Sequence, residues 1–177
     1  CNSKSLPGVS LPDAIEATTE IERSFDGAGA ILLAIPSQSL RSNLVSWQSF
    51  FPKHLPVISS LKGIELGTHL RMTEVARDVL GLPEDQLSVL TGPNLAREVV
   101  MRQPVGAVAA STSQELADLT AAIFHAPYFR AYTSTDVVGC ELAAAAKNVI
   151  ALAVGMSIGM GFGENTQALV ITRGLNE

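Results

Sequence analysis

Cys1 and Cys140 are the only cysteines in 177 residues. So few thiols cannot build a disulfide framework, and the sequence points to a reducing cytosol. Histidine is nearly as scarce. His54, His69 and His125 stand apart from one another and from both cysteines, so no metal-ligand spacing arises. Charged residues make up only 16%, the net charge is −5, and there is no long basic run, which speaks against a nucleic-acid groove. The opening "CNSKSLPGVSLP" has no charged leader ahead of an apolar stretch, so a signal peptide is not expected. No internal repeat or low-complexity segment stands out.

What is abundant is apolar: 47% of residues, enough for an ordered core. The length suits one domain, or one domain and a piece of another. One apolar run, residues 142–162, matches the roughly 20 residues that cross a bilayer. Lys147 and Asn148 lie inside it, and a central lysine costs about 2.5–3.5 kcal/mol on insertion scales. The run is also rich in alanine and glycine rather than leucine. Membrane insertion is not expected.

Short apolar stretches read as buried strands: "AILLAI" (30–35), "VISS" (57–60), "SVL" (88–90), "VGAVAAS" (105–111) and "YFRAY" (128–132). Helical spacing fills the gaps over 37–50, 67–80, 94–101 and 113–124. "STSQE" resembles a capping box closed by Glu115, and Gly81 followed by Pro83 ends the second helix. This rhythm predicts an α/β fold with a largely parallel sheet, the last stretches departing from the pattern. After "TSTD" (133–136) the alternation stops, and 137–156 and 165–177 read as helices joined by "GMGFG". The expectation is an α/β domain over 1–134 and the beginning of an all-helical domain over 135–177. That much helix is marginal alone, so the sequence reads as part of a longer chain.

Ligands of open parallel sheets bind beyond the carboxyl ends of the strands. Three strands here run into "PSQ" (36–38), "LKGIE" (61–65) and "TGPN" (91–94), turns that would share one edge. Gly63 and Gly92 let backbone approach a ligand closely, and Pro93 suits a helix start with free amides near Asn94–Ala96. Each has a plainer reading. Any strand-to-helix turn favours Ser, Gly, Pro and Asn; Ser37 is a natural helix cap; Lys62 alone could be a solvated lysine. In "ELAAAAKNVIALAVGM" (141–156), Ala143, Ala144, Ile150 and Ala151 lie one turn from Lys147. That stripe leaves room for a ligand beside a partly dry lysine able to act as a base, with Asn148 flanking it. The alternative is tight helix packing with a snorkelling lysine.

"AIPSQSLR", "SSLKGIE", "LTGPNLAREV" and "ELAAAAKNVIALAVGMSIGMGFGENTQALVITRGL" together resemble bacterial NAD(P)-dependent glycerol-3-phosphate dehydrogenase, and "LPGVSLPDAIEATTE" resembles the stretch after that family's first strands. The resemblance spans nearly the whole chain. It implies a Rossmann-like sheet followed by a helical substrate domain, with NAD or NADP as cofactor. The implied reaction interconverts sn-glycerol 3-phosphate and dihydroxyacetone phosphate in the cytoplasm for phospholipid synthesis. By match to the "KN" motif, Lys147 would be the catalytic acid/base and Asn148 would help hold substrate. Lys62 would contact substrate and cofactor, Gly92 and Asn94 would line the substrate site, and Ala96 would touch the cofactor. A homodimer is compatible with the resemblance.

The family's G-x-G-x-x-G fingerprint has no counterpart here: "DGAGAILLA" precedes its strand, and "GMGFG" lies between helices. Arg173 does not match the family's later arginine motif and reads as a structural helix residue. The 177 residues alone are therefore expected to bind nicotinamide cofactor poorly or not at all. Two other readings stay open: a different two-domain hydroxyacid or sugar-acid dehydrogenase, and a non-catalytic module lacking the nucleotide site.

Overall fold

The computed structural model describes residues 6–176. Five strands form one sheet: β1 (Ile31–Leu33), β2 (Val57–Ser59), β3 (Leu87–Thr91), β4 (Val105–Ala110) and β5 (Phe129–Ser134), in that spatial order. β1, β2 and β3 run parallel, with Val57 between Ile31 and Leu87. β4 is antiparallel to β3, pairing Thr91 with Val108, and β5 is parallel to β4. The departure expected in the last stretches thus falls between β3 and β4. Its cause is the connection. Helix α3 (Ala96–Val100) has 5 residues, about 7–8 Å of rise, too short to carry the chain back along a strand of about 16 Å. The chain re-enters the sheet from the edge it left.

Alternation within the strands supplies a core on each face. Val57 and Leu87 join Leu40 and Leu44 of α1 (Leu40–Trp47) and Val75, Val79 and Leu80 of α2 (Met72–Leu80). Ile58 and Leu90 join Val105, Ala107, Ala109 and Phe129 on the other face. α2 is the most strongly amphipathic of these helices, and Gly81 ends it at φ +68° as the sequence suggested.

Helix starts differ from the expectation. The segment read as helical from residue 67 becomes α2 only at Met72, because Gly67 and His69 hold φ of +88° and +59°. The first helical segment begins as a 3-10 turn, Ser37–Ser39, before α1. The third shortens to α3. Helix α4 (Gln114–Ile123) is capped by Ser113, whose Oγ accepts from the Leu116 amide at 3.3 Å. Leu116 therefore stands where a capping-box carboxylate would, so Glu115 does not close the box. The reciprocal bond is found on α2, where the Arg71 amide donates to Glu74 Oε2 at 2.9 Å.

Beyond β5 come α5 (Val137–Gly159) and α6 (Glu164–Asn176). They fold back on each other: a Cβ on Gly174 would lie 2.8 Å from two carbons of Ile150. Gly174→Val should therefore destabilise the protein by about 1–3 kcal/mol, read as a lower urea midpoint. By length and composition α5 could cross a membrane, with mean hydropathy 1.7 over its most apolar window and 11% of that window buried. Leu142, Val149, Leu152, Met156 and Leu169 all stand exposed on this pair of helices.

Candidate functional site

The parallel run of β1, β2 and β3 places their carboxyl ends on one edge, and the turns that leave them are tied together. Gly63 sits at φ +153°, and a Cβ there would come 2.9 Å from Ser37 Oγ. Gln38 grips the same loop from both ends of its amide: Nε2 donates to the Ile64 carbonyl at 2.8 Å, and the Leu66 amide donates to Oε1 at 3.0 Å. Arg41 completes the clamp. Its Nε donates to Glu65 Oε1 at 2.9 Å, its Nη2 to Glu65 Oε2 at 3.0 Å, and its Nη1 to Asp78 at 2.6 Å. Glu65 is buried and also accepts from the Thr68 hydroxyl. The segments "PSQSLR" and "LKGIE" therefore form one rigid unit.

The Arg41 guanidinium, and then the Thr68 hydroxyl, hold the Glu65 carboxyl below its ordinary pKa against the opposing effect of burial. A carboxylate depressed on folding stabilises above its unfolded pKa, about 4.3, and that stability is lost as pH falls through the folded value. Glu65→Gln should lower stability at neutral pH by about 1–2 kcal/mol, since Arg41 loses its bidentate partner and keeps only Asp78. The gap to the parent should close on acidification below about pH 4.3, as chemical denaturation across pH would show.

Lys62 leaves this clamped loop and donates from Nζ to the Gly92 carbonyl at 2.8 Å. The same carbonyl accepts from the Asn94 amide at 2.9 Å, so the turns leaving β2 and β3 are joined at one oxygen. A Cβ on Gly92 would lie 2.6 Å from the Gly106 carbonyl and 2.9 Å from Ala107 Cα, because reversed β4 runs close beside it. Lys62 is exposed as a residue, yet surrounding chain lowers its pKa, with the nearby Lys147 charge adding to that burial effect.

α5 crosses above this edge. Asp136 caps it, Oδ1 accepting from the Gly139 amide at 2.8 Å. Beneath lies an open cleft of about 420 Å³ lined by Lys62, Gly92, Val108, Cys140, Ala144 and Lys147, among others. Burial, reinforced by Asp136, pushes the Cys140 thiol above its ordinary pKa, so it stays protonated and is no ready nucleophile.

Of the six residues singled out from sequence, Lys62, Gly92 and Lys147 share this cleft. Asn94, Ala96 and Asn148 are not among its lining residues. The Asn94 Oδ1 is buried without a hydrogen-bond partner among the described residues and lies 3.3 Å from where a Gly92 Cβ would sit. Ala96 is exposed at the start of α3, and Asn148 is exposed beside Lys147. Lys147 is itself exposed, although one of the two readings left open by the sequence made it partly dry. The reason is geometric: α5 buries only Glu141, Ala144 and Ser157, so the alanine stripe keeps bulk away from the lysine without enclosing it. Gln38, Arg41 and Glu65 lie within the segments "AIPSQSLR" and "LKGIE", but sequence reading gave them no role of their own. Among the described residues no group of three or more His, Cys, Asp or Glu is placed to hold a metal ion.

Family models describing the N-terminus and the C-terminus of NAD-dependent glycerol-3-phosphate dehydrogenase match residues 1–117 and 136–177. The glycerol-3-phosphate dehydrogenase [NAD(P)+] of Thermobifida fusca is 49% identical over 176 residues, covering 99% of this chain and 52% of its own length. The enzyme of that name from Corynebacterium glutamicum strain R is also 49% identical, with 53% of its length covered. The crystal structure of glycerol-3-phosphate dehydrogenase from Coxiella burnetii superposes with a TM-score of 0.87 at 30% identity, over 97% of this chain and 52% of that one. The chain thus spans about half the length of the curated relatives it matches.

Proposed function

Because the chain belongs to the NAD-dependent glycerol-3-phosphate dehydrogenase family, we propose that the full-length protein interconverts sn-glycerol 3-phosphate and dihydroxyacetone phosphate. When bound, NAD or NADP supplies the hydride acceptor or donor for C2 of the substrate. The observation that carries this reading is the convergence of two ammonium groups, Lys62 and Lys147, on one cleft at the carboxyl edge of three parallel strands. Two like charges sharing a cleft are relieved by an anion, and a phosphorylated substrate brings one. The buried Asn94 Oδ1 fits the same assignment, since an orphaned acceptor beside the cleft floor calls for a donor and a substrate hydroxyl is one.

The roles divide by chemistry. Oxidation at C2 requires the hydroxyl proton to leave with the hydride, and Lys147 takes it through Nζ; in reduction the charged lysine returns it and stabilises the developing alkoxide. Lys62, fixed by the Gly92 carbonyl, would contact substrate and lie against the cofactor. Gly92 keeps the floor of the cleft low, Asn94 and Asn148 orient the substrate, and Ala96 lies against the cofactor. The two parts of the chain, 1–134 and 135–177, meet across this cleft. Glu141 within α5 is paired with Arg71 of the α/β layer, which supports reading α5 as a helix docked on protein. The enzyme works in the cytoplasm, and its product feeds phospholipid synthesis.

The full-length protein should reduce NAD or NADP with glycerol 3-phosphate, followed by nicotinamide absorbance. Hydroxyacids and sugar acids should give no comparable rate. Preference for a hydroxyacid would refute the assignment.

A further inference from the structure

Glu141 opens the alanine-rich segment of α5 and is 3% exposed. It reaches away from the cleft to the start of α2. Its Oε1 accepts from the Thr73 amide at 2.9 Å; its Oε2 accepts from the Thr73 hydroxyl at 2.6 Å and from Arg71 Nη1 at 2.7 Å. Arg71 is held in turn by Glu74, Nη2 to Oε1 at 2.9 Å. The Thr73 amide is one of the donors that a helix leaves unsatisfied in its first turn, at the positive end of the α2 dipole. Three donors from two residues thus fix both the depth and the rotation of this carboxylate.

We propose that Glu141 is a positioning residue for Lys147: docked on Arg71 and Thr73, it sets where α5 carries that ammonium over the cleft. The proposal rests on the reading of Lys147 as the acid/base. The two positions are six apart in sequence, about 9 Å along the helix and about 240° around it. Glu141 therefore grips α2 while Lys147 faces the turns that carry Lys62 and Gly92. The intervening helix is rigid, so a shift at the docking point becomes a shift of the ammonium. A buried ion pair is poor evidence for stability, since apolar residues could fill the same space as well. What an apolar contact would not supply is a three-point lock on rotation.

The test uses the full-length dehydrogenase, with kcat expressed per folded molecule as judged from urea unfolding. Glu141→Asp keeps the charge but shortens the reach by one methylene, so it can satisfy its partners only by drawing α5 towards α2. A displacement of about 1 Å should lower kcat about 10- to 100-fold, with nucleotide Kd unchanged. Glu141→Gln keeps the length and the Thr73 contacts, and should retain more activity than the aspartate variant. A merely structural role predicts the opposite pattern: lowered stability in both variants and parental kcat in every folded molecule. If the aspartate variant fails to fold, Arg71→Lys reports on the same contact, because it removes the planar fork and should also lower kcat. Parental kcat, within about twofold, in the folded Glu141 and Arg71 variants overturns the proposal. Lys147→Ala is run alongside. If it is inactive while the Glu141 variants keep full activity, positioning alone fails; if it is active, the acid/base reading fails and this proposal with it.

Discussion

Lys147→Ala in the full-length protein should lower kcat by about a thousandfold, near the middle of the range for loss of a positioned acid/base, while nucleotide affinity should stay nearly unchanged. The loss corresponds to about 4 kcal/mol of transition-state stabilisation. Nucleotide affinity should be spared because Lys147 stands on α5, outside the three strand turns, and meets them only across the cleft. The variant should fold normally, since Lys147 is exposed and buries no packing surface. Steady-state kinetics in both directions, with isothermal titration of the nucleotide, separate the two effects. An external primary amine should restore part of the rate by entering the space left beside Ala143 and Ala144. A Lys147→Ala enzyme that turns over at the parental rate would remove Lys147 from the chemistry.

The second large effect belongs to Gly92→Ala. The added methyl has no free volume, because both groups it meets, the Gly106 carbonyl and Ala107 Cα, are backbone of a neighbouring strand. Such overpacking costs about 1–3 kcal/mol, and here backbone must give rather than a side-chain end. The expected result is a lower urea midpoint together with a fall in kcat/KM of at least about tenfold, because the carbonyl that fixes Lys62 moves with the strand. The comparison variant is Gly106→Ala, where a Cβ meets nothing within 4 Å. It should change stability far less. Equal effects at the two glycines would mean that the close approach of β4 is not what constrains the site.

The strands were legible because short unbroken apolar runs such as "VISS" and "SVL" have few other uses, and Gly81 at +68° is a stop written in one residue. The shared edge followed from strand direction alone. Reversal at β4 was legible only as an unplaced irregularity, since it depends on how little helix separates Thr91 from Val105, and helix boundaries are poorly marked where no residue caps or forbids. His69 at φ +59° shows the difficulty: nothing in its identity excludes a helix there. The Arg41–Glu65–Asp78 and Arg71–Glu141 contacts were illegible for another reason. They join residues 24, 37 and 70 positions apart, and any surface helix carries such charges. Lys147 was conspicuous by its setting; its exposure was not, because a stripe of alanine looks the same whether another element covers it or stands clear.

The Gln38 and Arg41 clamp bears on how this site could be transplanted or redesigned. The loop bearing Lys62 owes its shape to side chains from an earlier turn and helix, so its four-residue signature is not a portable cassette. Moved alone onto another sheet it would lose the grip on Ile64 and Glu65, and the amine would wander. The smallest graft that carries the loop's own shape runs from Ser37 to Asp78, and the amine still needs an acceptor where the Gly92 carbonyl stands.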